Sequence, residues 1–170
     1  YLRMTTGNAL GLVGNTPLVR LRNLTGKNYA TILAKLEIFN LSGSVKDRIV
    51  KYIIERAEKT GDLKKDQTIV EATSGNTGIA LSMIGSVKGY NVKILMPESA
   101  TAERRKIIQF FGAELILVED EYKAIRLAEE LAKEKDWFLL NQFGNPLNAE
   151  AHYSTTAVEI LKQSDGKVDA

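Results

Sequence analysis

"TIVEATSGNTGIALSMIGSVKGYNVKILM" (residues 68–96) contains a complete strand–helix–strand unit. TIVEA (68–72) is a short β-rich run, residues 76–88 read as a helix, Gly89 is a helix stop, and NVKILM (91–96) is the next strand. The same alternation extends in both directions. Downstream, a helix over 102–111 stops at Gly112, ELILVE (114–119) is a strand, 121–135 a helix, WFLL (137–140) a strand and 149–163 a helix. Upstream, ATILAKLE (30–37) reads as a strand and 44–60 as a helix, with Val45, Ile49, Ile53 and Ala57 on one face and Gly61 as its stop. Strands and helices alternating across short connections predict an α/β fold, a mostly parallel sheet with helices on both faces. Such sheets bind ligands at the carboxyl ends of their strands, beside helix N-termini. The strand-to-helix turns are therefore where function is sought.

Composition narrows the classes. Of 170 residues 44% are apolar and 26% charged, with a net charge of +2, which suits one globular domain or part of a larger one. No basic stripe points to nucleic acid as a partner. Cysteine is absent, which excludes disulfides, thiolate catalysis and cysteine-based metal sites. The one histidine, His152, has no second histidine or cysteine for a metal site and reads as a structural or surface residue. No apolar run approaches the roughly 20 residues that span a bilayer, and the first residues lack a signal peptide's hydrophobic stretch. The expectation is a soluble, cytoplasmic protein with no membrane partner. Phosphate-loop and dinucleotide signatures are missing. ERRK (103–106) reads as a solvated helix face, or as arginines serving a lid or a partner contact.

Two turns attract chemistry. In NLSGSVKDRIV (40–50), Ser44 and Asp47 form a capping signature, so a helix is starting there. Lys46 then puts a cation at the positive end of the helix dipole. A lysine in that place is either a solvated surface side chain or a nucleophilic amine, the kind that forms Schiff bases with aldehydes such as pyridoxal phosphate. The second turn is EATSGNTGIAL (71–81), between a strand and a helix. Gly75 and Gly78 allow close backbone approach, while Thr73, Ser74, Asn76 and Thr77 offer donors beside unpaired helix N–H groups. That is an ordinary N-cap turn or a small anion site of carboxylate or phosphate size, and the density of small polar residues favours the ligand.

Together, VGNTPLVRL (13–21), NLSGSVKDRI (40–49), EATSGNTGIAL (71–81), MPESATAERR (96–105) and NQFGNPLNAEAHYSTTAVEI (141–160) resemble, in order, the cysteine synthase (O-acetylserine sulfhydrylase) and cystathionine β-synthase family of fold-type II pyridoxal-phosphate enzymes. The resemblance implies that Lys46 carries pyridoxal 5'-phosphate, that Asn76 bonds the cofactor's ring hydroxyl, and that Thr73, Ser74, Thr77 and Gln142 hold the α-carboxylate of an amino-acid substrate. It implies a β-replacement: Lys46 takes the Cα proton, acetate leaves Cβ, sulfide adds, and Lys46 returns the proton, with 73–78 and residues around 90–135 closing over the substrate. It also implies a homodimer when full length. Three positions depart from the family's pattern: Leu41 where proline is usual, Ala100 where methionine is common, and Gly144 where an acidic residue is common.

The resemblance divides the chain into a small domain over 38–148 and parts of a large cofactor domain over 1–37 and 149–170. GKVDA (166–170) reads as the opening of a further strand, and the family's phosphate-cradling loop lies beyond it, so the chain is expected to be the N-terminal portion of such an enzyme. The alternatives are a related pyridoxal-phosphate lyase (cystathionine β-synthase, O-phosphoserine sulfhydrylase or a hydroxy-amino-acid dehydratase), a non-catalytic partner-binding module, and an unrelated nucleotide-binding α/β protein.

Overall fold

The computed structural model describes residues 7–22 and 30–169. Residues 1–6, 23–29 and 170, which fall within the expected large-domain segments, lie outside the described residues. The chain first forms a two-stranded antiparallel ribbon, β1 (Leu18–Arg20) against β2 (Leu33–Lys35), with Val19 opposite Ala34. The stretch expected as a strand over 30–37 is thus a shorter strand, and its partner is β1 rather than the main sheet.

From α1 (Lys46–Thr60) onward the alternation is regular: β3 (Ile69–Ala72), α2 (Asn76–Lys88), β4 (Val92–Pro97), α3 (Ala102–Phe110), β5 (Glu114–Val118), α4 (Glu121–Lys135) and β6 (Phe138–Leu139). The four strands pair in parallel in the order β5–β4–β3–β6, so β3 is central, and the helix over 76–88 matches its expected span. Gly61 and Gly89 end α1 and α2 with left-handed backbones of φ 83° and 79°, a conformation that glycine adopts without a Cβ clash.

Strand parity sorts the core into two layers. Ile69, Ile94 and Met96 pack with Ile49, Ile53, Leu81, Ile84 and Ile108 under α1, α2 and α3, whereas Val70, Ala72 and Leu95 face Ala124 and Ala128 of α4. Helices therefore cover both faces, as expected. The predicted apolar face of α1 is real and wider than its spacing of four, because Val50 and Ile54 are buried beside Ile49 and Ile53. Each such buried side chain contributes about 1.5–3 kcal/mol. α2 is buried from Thr77 to Gly85, which fits a helix whose sequence is almost free of charge.

The last helical run is continuous but not uniform. α5 (Leu147–Ala151) passes through a π-helical turn, His152–Ala157, into α6 (Val158–Gln163). Lys167–Asp169 form no strand, having no neighbouring strand to pair with among the described residues. Among those residues, no helix is long and apolar enough to cross a membrane.

Candidate active site

The Lys46 turn is built by the side chains around it. Ser44 accepts a bond from the Lys46 N–H at 3.2 Å. Asp47 does not reach back to Ser44 as a capping box would. It is fully buried and accepts from the Ser42 N–H at 2.6 Å and from the Ser42 hydroxyl, so it ties down the loop before the helix. The helix begins at Lys46, one position too late for the Ser44–Asp47 spacing to close a box. Burial raises the Asp47 carboxyl above its usual range, and the Ser42 bonds pull the other way.

Two residues further along α1, Arg48 is buried and forks onto two carboxylates. Its Nε and Nη2 donate to Glu37 at 2.7 and 2.9 Å, and its Nη1 and Nη2 donate to Glu159 at 2.7 and 2.8 Å. Thr16 accepts a further bond at 3.1 Å, and Lys35 pairs with Glu159 at 2.7 Å. The start of α1 is thereby pinned to the segments around residues 16, 37 and 159. Lys46 itself is half-buried, and no carboxylate among the described residues pairs with it. His152 lies near enough that the Lys46 charge, after burial, helps hold its imidazole below the ordinary value; its Nδ1 is 3.0 Å from the Thr156 hydroxyl.

The second turn follows β3 at its carboxyl end, where ladder register has already fixed Thr73 through its N–H bond to Leu95 O at 3.0 Å. Thr73 Oγ1 accepts from the Gly75 N–H at 3.3 Å. No side-chain oxygen caps α2, whose N-cap residue is Gly75; the Gly78 N–H bonds Gly75 O at 3.0 Å, and the Asn76 and Thr77 N–H groups have no acceptor among the described residues. Thr73 and Thr77 are buried, Ser74 half-buried and Asn76 exposed. Gly78 sits in a tight place: a Cβ there would stand 3.0 Å from Thr73 Cγ2 and 3.2 Å from Ile108 Cδ1, closer than ordinary contact.

Gln142, sixty-five residues away in sequence, is brought to this turn: the buried Thr77 hydroxyl donates to its amide oxygen. Gln142 O accepts in turn from Asn148 Nδ2 at 2.9 Å. The structure thus joins Thr77 to Gln142 directly, sets Thr73, Ser74 and Asn76 along the same turn, and places Lys46 at the start of α1, which packs against α2. Arg104 reaches the turn as well, donating to Ser74 O at 3.2 Å. Only the ERRK run hinted at that contact. Glu71, a residue from β3 that the sequence reading passed over, is buried directly before the turn. At Gly144 a Cβ would stand 2.7 Å from the Asn141 amide nitrogen, and the exposed Asn141 side chain would have to move aside. No metal-binding cluster of three or more suitable side chains occurs among the described residues.

Fold and turn together define an α/β protein whose polar, glycine-flanked turn opens at the carboxyl end of a central parallel strand, where such sheets bind ligands. A family model described as "Pyridoxal-phosphate dependent enzyme" matches residues 9–170, and the chain belongs to that family. It is 49% identical over 159 residues to cysteine synthase B of Pseudomonas aeruginosa, covering 92% of this chain and 53% of that protein. The crystal structure of cysteine synthase from Entamoeba histolytica superposes with a TM-score of 0.93 at 45% identity, across 99% of this chain and 52% of that one. A hydrogen sulfide-producing enzyme from Fusobacterium nucleatum gives 0.91 at 45% identity, across 99% and 56%. The chain spans about half the length of the curated relatives it matches. The α/β architecture expected from the resemblance to fold-type II enzymes is the one observed.

Proposed function

We propose that this chain carries the lysine and the amino-acid site of a pyridoxal-phosphate dependent transferase that makes L-cysteine from O-acetylserine and sulfide. The observation that carries this reading is the juxtaposition of two helix starts. Lys46 opens α1 and the polar turn at 73–78 opens α2; the two helices pack together with their far ends joined by Lys88 and Glu58 at 2.7 Å, so both starts lie at the same end of the pair. The cysteine synthase relatives support the same substrate class.

The residues present fit pyridoxal phosphate. Lys46 offers a half-buried amine with no carboxylate partner among the described residues, suited to bonding an aldehyde carbon. Asn76, exposed at the first position of α2, offers an amide to a ring hydroxyl. When bound, the cofactor supplies an electron sink for negative charge developing at the substrate Cα. Everything else falls to the protein's own groups. Thr73, Ser74, Thr77 and Gln142, with the uncapped N–H groups of α2, would hold the substrate α-carboxylate. Lys46 would take the Cα proton as acetate leaves Cβ, and return it after sulfide adds. Movement of the 73–78 turn over the substrate would exclude water.

The same proposal carries the division into a small domain over 38–148 and large-domain segments at 1–37 and 149–170, a homodimeric assembly and a cytoplasmic location. Arg48, in the first unit, then bonds Glu37 and Glu159 of the second.

The test is spectroscopic and enzymatic. The native protein incubated with pyridoxal phosphate absorbs in the visible, Lys46→Ala does not, and O-acetylserine with sulfide yields cysteine. A colourless protein overturns the proposal. O-phosphoserine with sulfide, and serine with homocysteine, assayed alongside, separate the related reactions. The likeness to a sulfide-producing enzyme favours one second reading, release of sulfide from cysteine rather than its addition. Sulfide formation from cysteine, measured in the same series, distinguishes it.

A further inference from the structure

Two adjacent arginines near the start of α3 each donate to a main-chain carbonyl, and the two carbonyls lie in different loops. Arg105 donates to Glu98 O, just past the end of β4, and the Glu98 N–H bonds Val118 O of β5 at 2.8 Å. Ile108 is fully buried, and its Cδ1 lies 3.2 Å from the place a Gly78 Cβ would occupy, so it packs on the first turn of α2. These two contacts fix α3 to the sheet and to α2 without help from Arg104. Arg104 stands four residues before Ile108, on the same face of the helix. From there it spans to Ser74 O at 3.2 Å, with its guanidinium carbon 3.9 Å from the Cβ position of Gly75. The side chain is exposed and makes no ion pair among the described residues, so the turn is its one polar partner there.

The carbonyl that Arg104 holds belongs to the peptide unit on which the turn pivots. Ser74 O and the Gly75 N–H lie on opposite edges of one planar group. Thr73 Oγ1 accepts from that N–H at 3.3 Å while Arg104 donates to the oxygen, so the plane is gripped at both edges. The next two N–H groups along the chain, those of Asn76 and Thr77, have no acceptor among the described residues. Their direction follows from the orientation of the plane before them. Without Arg104, that plane is held by one long bond to a threonine hydroxyl.

We propose that Arg104 is a positioning residue for the amino-acid carboxylate site: from the fixed platform of α3 it holds the Ser74–Gly75 peptide plane, and so aims the free N–H groups that open α2. This rests on the reading that the 73–78 turn holds a substrate carboxylate. The path is continuous, from the sheet end at Glu98 through Arg105 to α3, and from α3 through Arg104 to the turn. Small displacements of a binding group weaken recognition steeply. An exposed side chain that makes one such contact acts on affinity rather than on folding.

The experiment uses the native protein loaded with pyridoxal phosphate and L-serine as the probe, since it bears the substrate's α-carboxylate with a poor leaving group. Arg104→Met keeps an unbranched stem and loses the donor. It is expected to weaken L-serine binding, followed by the visible spectrum, by about fivefold or more. KM for O-acetylserine rises in step, while kcat and the ligand-free spectrum change little. Lys106→Met removes the same charge two residues along α3 from an exposed side chain and is expected to bind within about twofold of native. Binding by Arg104→Met within twofold of native overturns the proposal, as does a Lys106→Met variant equally weak, which would make the effect one of net charge. Hydrogen exchange without ligand reads the grip itself. The Gly75 amide is expected to exchange about fivefold faster or more in Arg104→Met than in the native protein, with the amide of Leu81, buried within α2, unchanged. An unchanged Gly75 rate, or protection lost at Leu81 as well, overturns the positioning role. Failure of the native protein itself to bind L-serine counts against the carboxylate-site reading, and the exchange arm still decides whether Arg104 holds the turn.

Discussion

Replacing Arg48 by methionine should destabilise the protein by about 3–5 kcal/mol at neutral pH, the usual cost of breaking a buried ion pair from one side. The Arg48 side chain is 1% exposed, and the Glu37 and Glu159 side chains are 17% and 16% exposed. Methionine fills much of the volume but leaves both carboxylates with half their donors gone, and only Glu159 retains a cation, Lys35. For a chain of this size the loss corresponds to a fall in Tm of roughly 10 °C. The effect has a pH signature. Burial alone would raise the Glu159 carboxyl, but bonds from Arg48, Lys35 and the Asn15 N–H hold it down at about 2, below the ordinary 4.5. A depressed carboxyl contributes stability above its unfolded value and loses it as pH falls through the folded one. The native protein therefore weakens between about pH 4.5 and pH 2 through this group, whereas Arg48→Met has already lost the contribution. Urea denaturation of both proteins at neutral pH and at about pH 3 is the assay, and the gap should narrow in acid. A loss under about 1 kcal/mol at neutral pH, no larger than an exposed ion pair gives, or a gap unchanged in acid, would refute the argument that this cluster pins the start of α1.

Gly78→Ala would ordinarily gain about 0.5–1 kcal/mol as a helix-interior change. Here the new methyl meets Thr73, Ile108 and Ile94 at 3.0–3.3 Å, so an overpacking cost of about 1–3 kcal/mol should dominate and lower the urea midpoint. Glu71 titrates about 7 when folded against an ordinary 4.5, so its contribution is full below the unfolded value and fades as pH rises through 7. The native protein should lose on the order of 3 kcal/mol from this group between about pH 5 and pH 8, and Glu71→Gln should flatten that slope in denaturation curves. A slope shared by both proteins would contradict the assignment.

The elements from α1 to α4 were legible because their signals are local. Apolar spacing sets the helix faces, and Gly61 and Gly89 end the helices with the left-handed backbones that such stops require. The ribbon of β1 and β2 was half-seen, because antiparallel pairing across the twelve positions between Arg20 and Leu33 leaves no periodic mark on either strand. Asp47 looked like part of a capping box with Ser44, yet its partner is Ser42, since the helix start is fixed by packing rather than by the cap. The π-helical turn at His152–Ala157 has no sequence signal comparable to a glycine or proline.

At the site, the 73–78 turn declared itself through its density of small polar residues. Gln142 entered only through the family resemblance, and the structure supplies its bond to Thr77. Glu71 was invisible for a physical reason. Within TIVEA it is the one charged residue of a short β-rich run, with nothing local to mark it as buried, whereas β3 lies centrally with helices over both faces and buries it.

The account depends above all on Lys46 being the amine that bonds the cofactor. Borohydride reduction of the native protein loaded with pyridoxal phosphate, followed by proteolysis and mass spectrometry, tests this most directly. The account predicts a pyridoxyl mass increment on the peptide containing Lys46 and its loss in Lys46→Ala. An increment located on another lysine, or none at any lysine, would contradict it.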